Sequence, residues 1–235
     1  MAEKLSGQMA GGSGAPPRRS ARARCIAWAC WLGAACGIAP ERPTTGRASA
    51  TPSEPEAGAE LLGHTPPEFA LDGWLQLDAQ GEAFTPTPAP TLASLRGHVV
   101  VVRFWTDTCP YCRASMPGFV ALAQRFRDDG VVVIGIHHPK PAIADDAVVD
   151  RTRVAETARA WGIEFPIALD EHWHTLRGWW LTRPRDATSA TIVLDREGVV
   201  RWVHPGPELH PDGPRDHVQC RRDYDALVRA VQALL

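Results

Sequence analysis

A run of β-branched residues followed closely by a pair of cysteines constrains this sequence most strongly. Residues 99–104 read Val-Val-Val-Val-Arg-Phe, a pattern typical of a strand buried on both faces. The pair Cys109-Pro-Tyr-Cys112 follows, and apolar residues then recur at helical spacing to about residue 127, namely Met116, Phe119, Val120, Ala123 and Phe126. The sequence therefore predicts a buried strand and a helix, with the cysteine pair at their junction.

The rest of the chain alternates predicted strands with predicted helices. Strands are predicted over 131–136, 166–169, 190–194 and 199–203, and helices over 145–161, 172–180 and a C-terminal segment that includes 224–235. The last two strands read as a hairpin across the turn Asp195-Arg-Glu-Gly198. This order predicts an α/β fold with a mixed central sheet flanked by helices. We expect the globular domain to span residues 61–235.

Composition and charge exclude two classes of protein. Hydrophobic residues make up 44% of the 235 residues, so the chain can form a core, and the formal net charge of −2 offers no basic surface for nucleic acid. The longest apolar stretch without a charge, between Arg24 and Glu41, is too short to cross a bilayer. We expect neither a nucleic-acid-binding protein nor a polytopic membrane protein.

The N-terminus has the three parts of an export signal. Four arginines between positions 18 and 24 precede a short apolar segment, which ends in the small residues of Leu32-Gly-Ala-Ala-Cys36. That ending resembles a bacterial lipobox, in which the cysteine carries the lipid. Residues 1–36 are therefore predicted to be a signal peptide with a lipid anchor at Cys36, and the Pro-, Thr- and Glu-rich residues 37–60 a flexible linker. The alternative is a disordered basic tail before a buried apolar segment.

The cysteine pair predicts redox chemistry. A helix N-terminus favours a thiolate, so Cys109 is expected to be the nucleophile, and Cys112, one turn inside the helix, its resolving partner. Pro110 suits the first helical position because its missing N–H leaves no donor unpaired. A zinc half-site is the main alternative, but the sequence has no second Cys-x-x-Cys to complete it.

The residues around the pair resemble a known family. The sequence is similar to thioredoxin-like proteins of the TlpA and ResA type, in the redoxin group. The similarity lies in Phe104-Trp105-x-x-x-Cys109-Pro-Tyr-Cys112 with Pro117, and in residues 162–170 and 192–201. The resemblance covers nearly all of 64–235. It implies a thioredoxin-like fold in the cell envelope, thiol–disulfide exchange with protein thiols, and an electron donor in the membrane or periplasm. We expect no cofactor, and Trp105, Pro110 and Tyr111 should line the site.

Three positions depart from that family's pattern. Ser189, preceded by Thr188, stands where the family has a cis-proline facing the cysteines, and both residues are expected to line the site. Arg103 stands where some relatives carry a buried acid, and Ser115 where ResA-like proteins carry another. Proton transfer is therefore left to Asp107, Glu164 or water.

Two other functions remain open. The family's cis-proline helps to keep metals off the cysteines, and this chain has Ser189 in its place. Cys109 and Cys112 could therefore bind copper or zinc together with nearby histidines. Thr106, three residues before Cys109, resembles the peroxidase pattern of peroxiredoxins, for which Arg103, Arg183 or Arg185 would supply the arginine. His137 and His138 end the second parallel strand and could line the site, but the interpretation that the sequence favours is an exposed loop.

A Pro- and Gly-rich stretch near the C-terminus gathers further reactive side chains: His204, Glu208, His210, His217 and Cys220. The stretch could hold a metal, or it could bring Cys220 to the redox pair as a third thiol. A solvated loop with one spare cysteine is the interpretation that the sequence favours.

Overall fold

The computed structural model describes residues 57–140, 149–185 and 187–235. The predicted signal peptide and most of the predicted linker lie outside the described residues, so both stay predictions. None of the helices in these three ranges combines the length and the apolar character that a membrane crossing requires.

Within these described ranges, seven strands and four α-helices follow one another. In order they are β1 (Gly73–Leu77), β2 (Ala83–Phe84), β3 (Val99–Trp105), α1 (Pro110–Arg125), β4 (Val131–His137), α2 (Arg151–Ala160), β5 (Ile167–Leu169), α3 (His174–Trp179), β6 (Thr191–Leu194), β7 (Val200–His204) and α4 (Val218–Gln232). The strands form one sheet in the order β2-β1-β5-β4-β3-β6-β7. Strands β3, β4 and β5 are parallel, whereas β1 pairs antiparallel with β5, and β6 with β3. The predicted α/β class with a mixed sheet is confirmed.

Strand β3, which lies inside the sheet, is apolar at every position except Arg103 because both of its faces are covered. Val99, Val101 and Trp105 pack into one core with residues of α1, α2 and α4, including Met116, Phe119, Leu122, Val154, Leu227 and Val231. Val100, Val102 and Phe104 point to the opposite core, which α3 closes with Leu176 and Trp179. This two-sided burial explains the continuous β-branched run, since every position of the strand needs an apolar neighbour.

The observed boundaries differ from the prediction at α2 and at the N-terminal edge of the sheet. Helix α2 begins at Arg151, where Asp150 caps it by accepting a hydrogen bond from the Arg153 amide at 3.2 Å, so residues 149 and 150 are not helical; the predicted residues 145–148 lie outside the described residues. The hairpin of β1 and β2 was not predicted. Only Trp74 and Leu75 of β1 are buried, and they are adjacent; both residues of β2 are exposed. Neither segment therefore has the alternation of apolar and polar residues by which a strand is recognised in a sequence.

Truncation of a core residue of α1 should destabilise the fold. Leu122 is fully buried on the face of α1 that packs against the sheet, so Leu122→Ala removes contacts that the surroundings can only partly restore. We expect a loss of about 2–5 kcal/mol in the free energy of unfolding, measured by urea denaturation. Leu62→Ala, at a residue that is 44% exposed, is the matched control and should change it by less than about 0.5 kcal/mol. Equal effects of the two substitutions would contradict the described packing.

Candidate active site

The cysteine pair lies where β3 ends and α1 begins. Cys109 is the N-cap residue of α1, with extended backbone, and its sulfur accepts a hydrogen bond from the Cys112 amide at 3.3 Å. Pro110 occupies the first helical position, as predicted from its missing N–H. Cys109 is partly exposed, whereas Cys112, one turn further on, is completely buried. The pair thus consists of one accessible and one inaccessible sulfur.

The two sulfurs differ strongly in acidity. A hydrogen bond from the Cys112 thiol, together with the Cys112 and Tyr111 backbone amides at the start of α1, lowers the pKa of Cys109 to about 5. The same interaction with Cys109, and then burial, raises the pKa of Cys112 well above its ordinary value. At neutral pH Cys109 is therefore a thiolate and Cys112 a thiol, the division of roles expected of a nucleophile and its resolving partner.

The segment before β6 faces the buried cysteine. The Ser189 hydroxyl lies 3.1 Å from the Cys112 sulfur, and the neighbouring Thr188 hydroxyl lies 3.0 Å from Nε2 of His138. Both Thr188 and Ser189 are buried. The position at which the family resemblance implies a cis-proline is thus filled by a side chain that hydrogen-bonds Cys112.

Arg103 lies completely buried beneath the pair. Its guanidinium donates to the carbonyl oxygens of Ser189 and Pro207, each at 2.6 Å, and its charge lowers the pKa of Cys112 against the effects of burial. The sequence presents Arg103 as the loss of an acid or as the arginine of a peroxidase site, and neither interpretation predicts its contacts with Ser189 and Pro207. Its position in the apolar run of β3, on the same face as Val101 and Trp105, was the signal that could have placed it under the cysteines.

Asp107 lies beside the site as a carboxylate that contacts His137 and Arg153. Its oxygens lie 3.5 Å from Nε2 of His137 and 2.6 Å from Nε of Arg153, and the hydrogen bond with His137 lowers the pKa of Asp107 to about 2. So acidic a group is a weak base. Glu164, the other expected acid, pairs with Arg127 at 3.6 Å on an exposed surface and lines neither pocket beside Cys109.

The expectation that His137 and His138 lie in an exposed loop is wrong. Both are at most 2% exposed, because β4 extends through His137 and the pair is covered by Trp105 and Trp173. Burial lowers the pKa of His138 to about 3, so its imidazole is neutral where it meets Thr188.

Trp105 supports the site from below. Its side chain is completely buried in the same core as Cys112, with its ring 4.9 Å from that of His137. Strand β4 passes so close that a Cβ atom at Gly135 would lie 2.9 Å from the indole nitrogen, which explains the glycine at that position. Trp105 therefore acts on the site by packing and not as a surface that a substrate touches.

Two pockets flank Cys109. One, of about 490 Å³, is lined by Thr106, Pro110, Tyr111, Thr188, Ser189 and Pro207, among others. The other, of about 500 Å³, lies toward α2 and is lined by Asp107, Arg113, Glu156 and Trp161, among others. Cys109 is common to both, so a chain that crosses the site would pass over its sulfur. Tyr111 is half exposed at the rim.

The geometry gives less support to the other two functions. Arg103 is buried with its donors bound to carbonyl oxygens, and Arg185 pairs with Glu60. Arg183, the third candidate arginine, lines neither pocket beside Cys109, where a peroxide would react. Among the described residues, the one group with metal-binding spacing does not include Cys109 or Cys112.

Comparison with known proteins identifies the family. The profile of the AhpC/TSA family matches residues 62–203, more than half of the chain. The chain belongs to the AhpC/TSA family, and the expected redoxin relationship is confirmed.

Individual relatives agree with this assignment. Protein DipZ of Mycobacterium tuberculosis is 33% identical over 155 residues, which are 66% of this chain but 20% of DipZ. Thiol-disulfide oxidoreductase ResA of Halalkalibacterium halodurans is 27% identical over 129 residues, 55% of this chain and 62% of ResA. The chain therefore spans less than two thirds of either relative. A Chlorobium tepidum protein assigned as thiol:disulfide interchange protein DsbE superposes with a TM-score of 0.50 at 21% identity, covering 74% of this chain and 96% of that one. The expected thioredoxin-like fold is confirmed.

The acidity of Cys109 predicts how fast it is alkylated at each pH. Only the thiolate reacts, and its fraction falls as the pH falls through the Cys109 pKa of about 5. Iodoacetamide modification of the reduced protein, followed by peptide mass spectrometry, should therefore give a half-maximal rate near pH 5 at Cys109. Cys220, whose pKa is raised by burial, is the internal control and should react only at alkaline pH. A midpoint for Cys109 above pH 8 would contradict the described hydrogen bonds.

Removal of the Ser189 hydroxyl should weaken the thiolate. Ser189→Ala removes the hydroxyl that lies 3.1 Å from the Cys112 sulfur and that lowers the pKa of both cysteines. Because a hydrogen bond contributes about 1 kcal/mol, the alkylation midpoint of Cys109 should rise by roughly 0.7 pH unit. Thr106→Ser, which keeps a hydroxyl in the same pocket, is the matched control and should leave the midpoint unchanged. An unchanged midpoint in Ser189→Ala would show that Ser189 does not act on the pair.

Proposed function

We propose that this protein is a thiol–disulfide oxidoreductase that uses Cys109 and Cys112 for exchange with protein thiols. The observation that carries the proposal is the pairing of an accessible sulfur of lowered pKa with a buried sulfur of raised pKa at one helix N-terminus. The name of ResA describes the same chemistry for that relative.

In the reducing direction, the Cys109 thiolate attacks one sulfur of a substrate disulfide. A mixed disulfide forms and the other substrate sulfur leaves as a thiolate. Cys112 then attacks the sulfur of Cys109, which releases the second substrate thiolate. The pair is oxidised by two electrons and the substrate disulfide is reduced by two; the oxidising direction is the reverse of these steps.

The mixed disulfide itself activates Cys112. Once Cys109 is bonded to substrate it no longer carries the charge that raises the pKa of Cys112. The buried guanidinium of Arg103 and the Ser189 hydroxyl then remain, and both favour the Cys112 thiolate. The thiol proton passes to water or to the departing substrate thiolate, because Asp107 is too acidic to accept it.

The low pKa of Cys109 sets the expected redox potential. A stabilised thiolate favours the reduced form, which makes the pair more oxidising. The nucleophilic cysteine of thioredoxin has a pKa of about 7. Compared with it, a pKa of about 5 shifts the equilibrium constant at pH 7 toward the reduced form by about 1.7 powers of ten, which corresponds to about 50 mV. We therefore expect a midpoint potential of roughly −220 mV, from thioredoxin's value of about −270 mV.

Glutathione titration with mass-spectrometric counting of free thiols measures this potential. The expected result is one reversible two-electron step that disappears in both Cys109→Ser and Cys112→Ser. Cys220→Ser is the matched control and should keep the step. If Cys109 and Cys112 form no reversible disulfide, the proposed function is wrong and metal binding by the pair takes its place.

We propose a location in the cell envelope with Cys36 as the lipid anchor. The arginines, the apolar segment and the small residues before Cys36 support it. In a bacterial host the protein should fractionate with membranes, and Cys36→Ser should release it or block its processing because the lipid cannot be attached. Cys30→Ser is the matched control and should leave fractionation unchanged. Unchanged membrane association together with unchanged processing in Cys36→Ser would contradict the anchor.

A further inference from the structure

Four metal-ligating side chains converge behind α1, outside the redox site. Glu208 and His210 lie in the segment that follows β7, His217 is the N-cap residue of α4, and Cys220 lies in the first turn of that helix. One ligand atom from each lies within 4.8 Å of all the others. His210 is 5% exposed and the other three are partly buried, so the expectation of a solvated loop with a spare cysteine does not describe this segment.

The spacing of these atoms fits a tetrahedral site. Nε2 of His210 lies 3.1 Å from Oε1 of Glu208 and 3.3 Å from Nδ1 of His217, and the last two atoms are 3.8 Å apart. Ligand atoms placed tetrahedrally at zinc bond lengths of about 2.0–2.3 Å are separated by roughly 3.3–3.8 Å. Glu208, His210 and His217 therefore need only small shifts to bind one ion, and the Cys220 sulfur lies within 4.8 Å of their ligand atoms.

His210 is oriented as metal-binding histidines are. Its Nδ1 hydrogen-bonds the carbonyl oxygen of Asp212, which directs Nε2 to the other ligands. The loop that supplies this carbonyl passes tightly around the ring, because a Cβ atom at Gly213 would lie 2.6 Å from Cε1 of His210. Arg221 holds the same loop by donating to the carbonyl oxygens of Pro214 and Arg215 at 2.8 and 2.7 Å.

Hydrogen bonds leave one close contact unexplained when His210 is neutral. With the Nδ1 proton donated to Asp212, Nε2 carries only a lone pair; it can accept a hydrogen bond from Nδ1 of His217 at 3.3 Å, but it also faces a carboxylate oxygen of Glu208. Two acceptors at 3.1 Å repel each other unless a cation or a proton lies between them. An imidazolium at His210 is the competing explanation, and the experiment below separates it from a metal ion.

We propose that Glu208, His210, His217 and Cys220 bind one zinc ion in a closed structural site. One thiolate, two imidazoles and one carboxylate are ligands that zinc accepts in four-coordinate sites, and four protein ligands leave no open position for catalysis. On binding, Cys220 releases its thiol proton to solvent and no electrons are transferred. A bound ion would also keep Cys220 out of exchange with the redox pair.

The ion would fix the segment that supports the redox site. Pro207, next to Glu208, accepts the hydrogen bond from Arg103, and the Leu209 amide donates to the Ser115 hydroxyl on α1 at 3.1 Å. Through Cys220 and His217 the ion would join this segment to the start of α4. The proposal does not depend on the redox function.

Cobalt substitution tests the site in the full chain. Cys25, Cys30, Cys36, Cys109 and Cys112 are replaced by Ser, so that Cys220 is the one remaining thiol. Titration with cobalt(II) should give one ion per chain, the strong visible bands of tetrahedral cobalt and a near-ultraviolet sulfur-to-cobalt band. Cys220→Ser in this background should lose the sulfur band. His217→Gln should weaken binding by about a hundredfold or more, whereas His98→Gln, at an exposed histidine, is the matched control.

Thermal unfolding keeps the test independent of damage to the fold. Zinc should raise the melting temperature of the five-serine background and of His98→Gln, but not that of His217→Gln at the same zinc concentration. His217 is chosen because it is the more exposed histidine of the cluster. Failure to bind cobalt, weak octahedral spectra, or equal binding by His217→Gln and the background would overturn the proposal and leave the imidazolium of His210 as the explanation. None of these outcomes tests the proposed redox function of Cys109 and Cys112.

Discussion

The buried guanidinium of Arg103 is the interaction on which the arrangement of the site depends. Taking a charge out of water costs several kcal/mol, so it must be met by other groups. Four groups surround the guanidinium of Arg103: the carbonyl oxygens of Ser189 and Pro207, the Thr191 hydroxyl at 3.2 Å and the face of the Phe119 ring. These groups come from three parts of the chain, and each is fixed relative to β3 by the same cation. Ser189 faces Cys112 because its own carbonyl is held in this way.

In the thiol–disulfide exchange that we propose, the same charge links structure to redox state. When the pair is reduced, the thiolate of Cys109 partly compensates Arg103; when the pair is a disulfide, that anion is gone and the cation is less well compensated. The buried charge therefore favours the reduced form, in the same direction as the hydrogen bonds at the start of α1. Because Arg103 destabilises the disulfide form more than the reduced form, it makes the redox potential of the pair more oxidising.

The part of the site that the sequence predicts is the part built from neighbouring residues. The β-branched run of β3 and the position of Pro110 define where Cys109 and Cys112 lie, since a strand, a short loop and a helix start are all local features. The burial of His137 and His138 is not local. It depends on Trp105 and Trp173, which reach them from β3 and from the start of α3. The β1–β2 hairpin was missed for a related reason, because it is held by pairing with β5 and not by its own pattern.

The three departures from the family pattern share one structural explanation. Arg103 donates to the carbonyl oxygens of Ser189 and Pro207, and the Ser115 hydroxyl accepts a hydrogen bond from Leu209 and donates to the Tyr111 carbonyl at 2.7 Å. All three residues thus contact the segments that close over the buried sulfur. An acid at position 103 would place a carboxylate against two carbonyl oxygens, and a proline at 189 would lack the hydroxyl that meets Cys112. Each departure is therefore compatible with the other two, and reverting one alone would leave its polar partners unsatisfied.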